Sequence, residues 1–249
     1  MVSASIVCTL EVDAYWATVF ECPSHDVWRP GVVVTPHAGQ LVGYRGVFLF
    51  KRHDACRASA PPDLVEALND LLRGRDARDV FRGDALLASL GDRVEQVVGP
   101  NWHGYVSRAG YRPASGPACR PLTEADGPAV DLLRDACGMS DWAEGSFDKV
   151  PAAFGCFVDR DLVAASNLTR WRLEDDRIGV VTHPEFRGRG HGAAVASAAT
   201  GRALQRAAVA EWRARGTNTA SIKVASRLGF VSYGENVAIR LKAPGRPGA

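Results

Sequence analysis

The chain has 249 residues, 46% of them hydrophobic, and 30 basic against 28 acidic side chains leave a formal charge of +2. That balance argues against nucleic acid as the main partner, because a phosphate backbone calls for a dense basic face. Residues 1–10 lack a basic segment followed by a sustained apolar core, and no run approaches the ~20 apolar residues of a membrane span, so a cytoplasmic protein without signal peptide or membrane partner is expected. The cysteines Cys8, Cys22, Cys56, Cys119, Cys137 and Cys156 form no C-x-x-C pair, and His25, His37, His53 and His103 have no partner at metal-ligand spacing. Small buried thiols in a reducing compartment and no metal are the corresponding expectations.

Residues 31–36 and 43–50 are strand-like, and 62–72 form an amphipathic helix with Leu64, Leu68, Leu71 and Leu72 on one stripe. Residues 97–106 hold an apolar pair, a turn and an aromatic cluster. Pro, Gly and Ser then concentrate at 112–118, which predicts a linker and a division into domains 1–115 and 116–249. Beyond it, Thr123 is placed to cap a helix over 125–137. Residues 154–159 and 162–169 read as a hairpin turning at Asp159 to Asp161. A strand is expected at 178–182, another at 209–213, a helix after Asn218 closed by Gly229 and Phe230, and a last strand at 237–241.

The most informative stretch follows the strand at 178–182. Pro184 ends it, and Arg187-Gly188-Arg189-Gly190-His191-Gly192 leads directly into an alanine-rich helix. A helix start presents unpaired N–H groups and partial positive charge, and glycines let the chain curl so that these donors converge on an anion. Arg187 and Arg189 add charged donors, so a diphosphate is the expected ligand. Gly188-x-Gly190-x-x-Ala193 also fits a dinucleotide fingerprint, with Glu211 about twenty residues on. The strand-to-glycine spacing and the absence of further βαβ units count against that reading.

Arg187-x-x-Gly190-x-Gly192 preceded by Pro184, followed by Asn218, Ser221 and Gly229-Phe230, resembles the GNAT superfamily of acyl-CoA-dependent N-acetyltransferases over roughly residues 120–241. The resemblance implies an α/β (α+β) fold, a mixed sheet flanked by helices in the order β-α-β-β-β-α-β-α-β. The first half is read as a smaller, degenerate GNAT-like α/β copy without the loop, with a structural or substrate-shaping role. It further implies acetyl-CoA as co-substrate, held by Val180, Val181, Thr182, Arg187, Gly188, Arg189, Gly190, His191, Gly192, Ala193, Asn218 and Ser221. A backbone N–H near Val181 would polarise the thioester carbonyl. The partner is a small-molecule amine, conceivably an aminoglycoside-like antibiotic or a metabolite, and the chain is a monomer or homodimer. Many relatives carry a tyrosine seven residues after the helix asparagine; Ala225 stands there, so Tyr233 is the nearest candidate acid for the leaving thiolate. Candidate bases are Glu174, Asp175, Asp176, Glu144, His183 and Glu211. His183 also reads as a turn cap, His191 as part of the pyrophosphate rim, and Trp142 and Trp171 as walls of the acceptor groove. A non-catalytic acyl-CoA-binding or sensing module is the alternative.

Overall fold

The computed structural model describes residues 4–170 and 175–243. The elements are α1 (Ala4–Val19), β1 (Gly31–Pro36), β2 (Gly46–Arg52), β3 (Ala55–Ala60), α2 (Pro62–Leu72), α3 (Ala77–Arg82), α4 (Asp84–Leu90), β4 (Val94–Ser107), β5 (Cys119–Pro121), α5 (Gly127–Glu144), β6 (Phe154–Val158), β7 (Asp161–Arg170), β8 (Asp175–Thr182), α6 (His191–Arg206), β9 (Val209–Arg215), α7 (Thr219–Arg227) and β10 (Val231–Leu241). From β5 onward the order is the expected one. The architecture is α/β, with mixed sheet and flanking helices. Among the described residues no helix is long and apolar enough to cross a membrane.

The chain divides into two units, residues 9–103 with 233–249 and residues 104–232 with the first eight. One break along the chain falls between His103 and Gly104. The Pro/Gly/Ser segment expected to be a linker is instead strapped along α6. Tyr111 Oη donates to the Ser197 carbonyl at 2.7 Å, the Ala114 N–H donates to Ser197 Oγ at 3.0 Å, and Arg108 Nε donates to the Leu204 carbonyl at 3.1 Å. The Arg112 N–H donates to the Leu228 carbonyl at 3.0 Å, so the segment also touches the end of α7.

In the first unit the sheet order is β1-β3-β2-β10-β4. β1 runs parallel to β3, and β10 pairs antiparallel with β2 through Val237↔Leu49 and Ile239↔Val47. Those residues enter one core with Val34, Ala58, Phe81 and Leu86, on which Leu68 and Leu72 of α2 are buried and Leu64 and Leu71 pack. Burying Val237 and Ile239 here gives the last strand to this unit and not to the one that carries the glycine loop.

The second unit has sheet order β4-β9-β8-β7-β6-β5. Thr123 and Asp126 form the expected capping box before α5. The helix continues to Glu144 past Gly138, whose φ of 79° breaks the helical run. Leu133, Trp142 and Phe147 bury against Leu162, Ala165 and Val181 on one face of the sheet, and α6 buries Val195 against Cys156 and Ala164.

Candidate functional site

Strands β8 and β9 are parallel, and among the described residues they pair at Arg177↔Glu211 and Ile178↔Trp212. Beyond that closed end, residues 179–182 and 213–215 flank a gap. On its other edge β8 stays paired with β7, Ala164↔Thr182 through Ser166↔Val180. The His183 N–H donates to the Val163 carbonyl at 2.8 Å. With a two-residue period, Val181 also faces β7, and the backbone groups of Val180 and Thr182 face the gap. The Val181 N–H is thus spent on β7, and Val180 and Thr182, beside it, are the open-edge residues.

The gap leads to the loop. Gly188 and Gly190 have φ of 77° and 87°, the left-handed region that glycine adopts at least cost, and a Cβ on either would meet nothing within 4 Å. Gly190 is the N-cap of α6. The 187–190 stretch is exposed, with its backbone open at the positive end of a 16-residue helix. Arg187 donates through Nε to the Thr182 carbonyl at 3.2 Å and is paired through Nη2 with Asp141 at 2.6 Å. Arg189 lies over the Phe186 ring at 5.2 Å. His191 departs from expectation: only 7% exposed, it turns inward and its Nδ1 lies 3.5 Å from Cys156 Sγ. Gly192 brings α6 close to Thr182. His183 caps the preceding turn by accepting from the Glu185 N–H at 3.3 Å. Asn218 Oδ1 accepts from the Ser221 N–H at 3.1 Å, and Ser221 Oγ accepts from Trp212 Nε1 at 2.9 Å, which fixes the start of α7.

On the α5 side of the sheet, Glu211 is wholly buried at the closed end of the gap. Arg177 Nε donates to it at 2.5 Å and Tyr105 Oη at 3.4 Å. Glu144 lies toward the open end, paired with Arg215 at 2.9 Å. The backbone following α5 is anchored by the buried Asn167, whose Nδ2 donates to the carbonyls of Gly145 at 3.1 Å and Val150 at 3.2 Å. A Cβ on Gly179 would overlap both the Gly145 carbonyl oxygen and Asn167 Oδ1. Gly179→Ala is therefore expected to cost ~1–3 kcal/mol as overpacking between two backbone segments. Denaturant unfolding checks this, and a loss under 0.5 kcal/mol would show that the segments part freely.

Tyr233 belongs to the unit of residues 9–103 and 233–249. Its hydroxyl donates to Asp13 Oδ1 at 2.5 Å, Trp28 Nε1 donates to the same carboxylate at 2.9 Å, and Arg52 pairs with it at 2.7 Å. Burial, then the bond to Asp13, pushes the phenol far above its ordinary range. A hydroxyl engaged with Asp13 in this way favours a structural role for Tyr233. Tyr233→Phe is expected to lower stability by ~1–3 kcal/mol, because Asp13 loses a donor, while any acyl transfer stays near the parental rate. Parallel unfolding and turnover measurements check both halves. Ala225, seven residues after Asn218, is fully buried. Glu174 and Trp171 lie outside the described residues. Trp142 packs on Phe147 with centroids 4.7 Å apart. Among the described residues no group of three His, Cys, Asp or Glu is placed to hold a metal ion.

Residues 152–238 match the family model of GNAT acetyltransferase. No curated protein matches the chain. Among solved structures it is similar to an acetyltransferase of the GNAT family from Colwellia psychrerythraea, at 16% identity over 67% of this chain and 63% of that one, with a TM-score of 0.48. A GCN5-related N-acetyltransferase from Kribbella flavida is similar at 18% identity over 68% and 73%, with a TM-score of 0.46. A tandem GNAT protein from the clavulanic acid biosynthesis pathway is similar at 15% identity over 66% and 59%, with a TM-score of 0.46. The chain spans less than two thirds of the first and third of these. The matched segment, about a third of the chain, is similar to GNAT acetyltransferase domains and holds the parted strands, the glycine loop and α7.

Proposed function

We propose that the protein is an acyl-CoA-dependent N-acetyltransferase that moves the acetyl group of acetyl-CoA to the amine of a small molecule. The observation that carries this reading is the separation of β8 from β9 after Ile178, with the open edge of β8 leading to the exposed Gly188 and Gly190 at the start of α6. The loop N–H groups with Arg187 and Arg189 would hold the pyrophosphate. The amides of the pantetheine arm would pair with Val180 and Thr182 as an added strand. Asn218 Oδ1 is engaged within α7, which leaves its Nδ2 as the group to meet an arm carbonyl.

With the pyrophosphate at the loop, the thioester end points down β8 toward the closed end of the gap. Glu211 stands there, oriented by Arg177 and Tyr105, and we assign it the amine proton, taken directly or through water. Glu144, beside Arg215, lies toward the other end and serves the acceptor side. The first unit, which has no counterpart of the loop, is read as a degenerate GNAT-like copy with a structural role. The assay is free-thiol release from acetyl-CoA across a panel of small amines. The buried Ala225 and the commitment of Tyr233 to Asp13 favour a second reading, a non-catalytic acyl-CoA-binding module. Tight acetyl-CoA binding with no thiol release for any amine would decide for it.

A further inference from the structure

Cys119 on edge strand β5 and Cys156 on β6 are register partners. The Leu122 N–H donates to the Ala153 carbonyl at 2.9 Å, so 122/153 is a hydrogen-bonded pair. Alternation makes 120/155 the next such pair and leaves 119/156 a non-hydrogen-bonded one. Pro121, which has no N–H, falls on the other non-bonded pair, consistent with this phase. Facing Cα atoms in such a pair are about 4.5 Å apart, inside the disulfide range of about 4.4–6.8 Å. Burial, then the adjacent Cys156 thiol, pushes the Cys119 thiol up to about 12, and Cys119 Sγ donates to the Pro117 carbonyl at 3.5 Å. Cys119 is partly exposed, Cys156 is buried, and His191 Nδ1 lies 3.5 Å from Cys156 Sγ.

We propose that Cys119 and Cys156 form a reversible disulfide by exchange with small-molecule disulfides, with His191 accepting the proton of the buried thiol. This inference is independent of the acyl-transfer reading. In the first step Cys119 loses its proton and its sulfur attacks a disulfide RSSR, forming Cys119–S–S–R and releasing RS⁻, which takes up that proton. In the second, Cys156 passes its proton to His191 Nδ1, attacks the Cys119 sulfur and expels RS⁻, which leaves as RSH with the proton from the imidazolium. The sum is RSSR plus two thiols giving one protein disulfide and two RSH, so the small disulfide is the oxidant. The exposure of the two sulfurs sets this order, and the raised Cys119 thiol makes the first step slow at neutral pH and faster as pH rises.

The test is incubation of the full-length protein with oxidised glutathione, followed by non-reducing peptide mapping by mass spectrometry. The expected product links Cys119 to Cys156, leaves Cys22, Cys56 and Cys137 as thiols, and is reversed by dithiothreitol. Cys156→Ser should stop at a glutathione adduct on Cys119, and Cys119→Ser should leave Cys156 unmodified. His191→Gln should close the mixed disulfide roughly 10-fold more slowly or worse. A persistent adduct on Cys119 in the parent protein, no reaction, or links elsewhere would overturn the pair. An unchanged closing rate in His191→Gln would remove the histidine from the scheme.

Discussion

Gly190→Glu is expected to remove measurable acetyl-CoA binding while the domain still folds. Gly190 is the N-cap of α6 at φ 87°, and a Cβ there meets nothing within 4 Å. A side chain at this position therefore costs the left-handed penalty of ~1–2 kcal/mol without a clash. The glutamate, however, sets a negative charge among the donors that would receive the pyrophosphate, and losing even two charged hydrogen bonds removes ~3–6 kcal/mol, about 10²- to 10⁴-fold in Kd. Gly190→Ala separates the effects, because it carries the conformational cost without the charge. Arg187→Ala should weaken binding by ~1.5–3 kcal/mol. Asp141→Asn, which releases Arg187 from its 2.6 Å pair, should hold affinity level or raise it. Titration calorimetry reads all four. Parental affinity in a folded Gly190→Glu protein would remove the loop from acyl-CoA binding.

What could be read ahead of the structure was local. β1 and α2 carry their own patterns, and the loop from Pro184 to Gly192 sits entirely within one strand-turn-helix. The apolar positions of 4–19 do not repeat at a helical period, so α1 carries no local signal in the sequence. β3 was missed because Arg57 interrupts a run of small residues. In the fold its guanidinium is buried, donating to the carbonyls of Arg29 at 2.6 Å and of Gly31 and Asp26 at 3.1 Å each. A buried arginine satisfied by loop carbonyls leaves no periodic signal. β4 runs through Gly99 and Pro100, where turn residues were read as a turn. The roles of Tyr233 and Glu211 depend on pairing partners that sequence proximity does not supply. Tyr233 follows Phe230 closely but belongs with Asp13 once β10 pairs with β2. Glu211 was one carboxylate among several until the register set it against Arg177 where the strands part.

Arg177→Ala is expected to be among the most destabilising single changes in the second unit. It leaves Glu211, which has no exposure, as a buried carboxylate without its cation, a loss of ~3–5 kcal/mol. Glu211→Gln removes the charge but keeps the shape and an acceptor for Tyr105, so it should cost less, ~1–3 kcal/mol. Its larger effect should fall on chemistry, lowering turnover by about 10²-fold or more with acetyl-CoA affinity nearly intact, because Val180, Thr182 and the loop are untouched. Pairing the changes separates structure from catalysis. Arg177→Met with Glu211→Gln carries no unpaired charge and should recover most of the stability lost in Arg177→Ala. It should recover none of the turnover. Denaturant unfolding gives the first comparison and thiol release with an accepted amine gives the second. Turnover near the parental value in the stable double variant would make the buried pair purely structural and pass the proton to solvent.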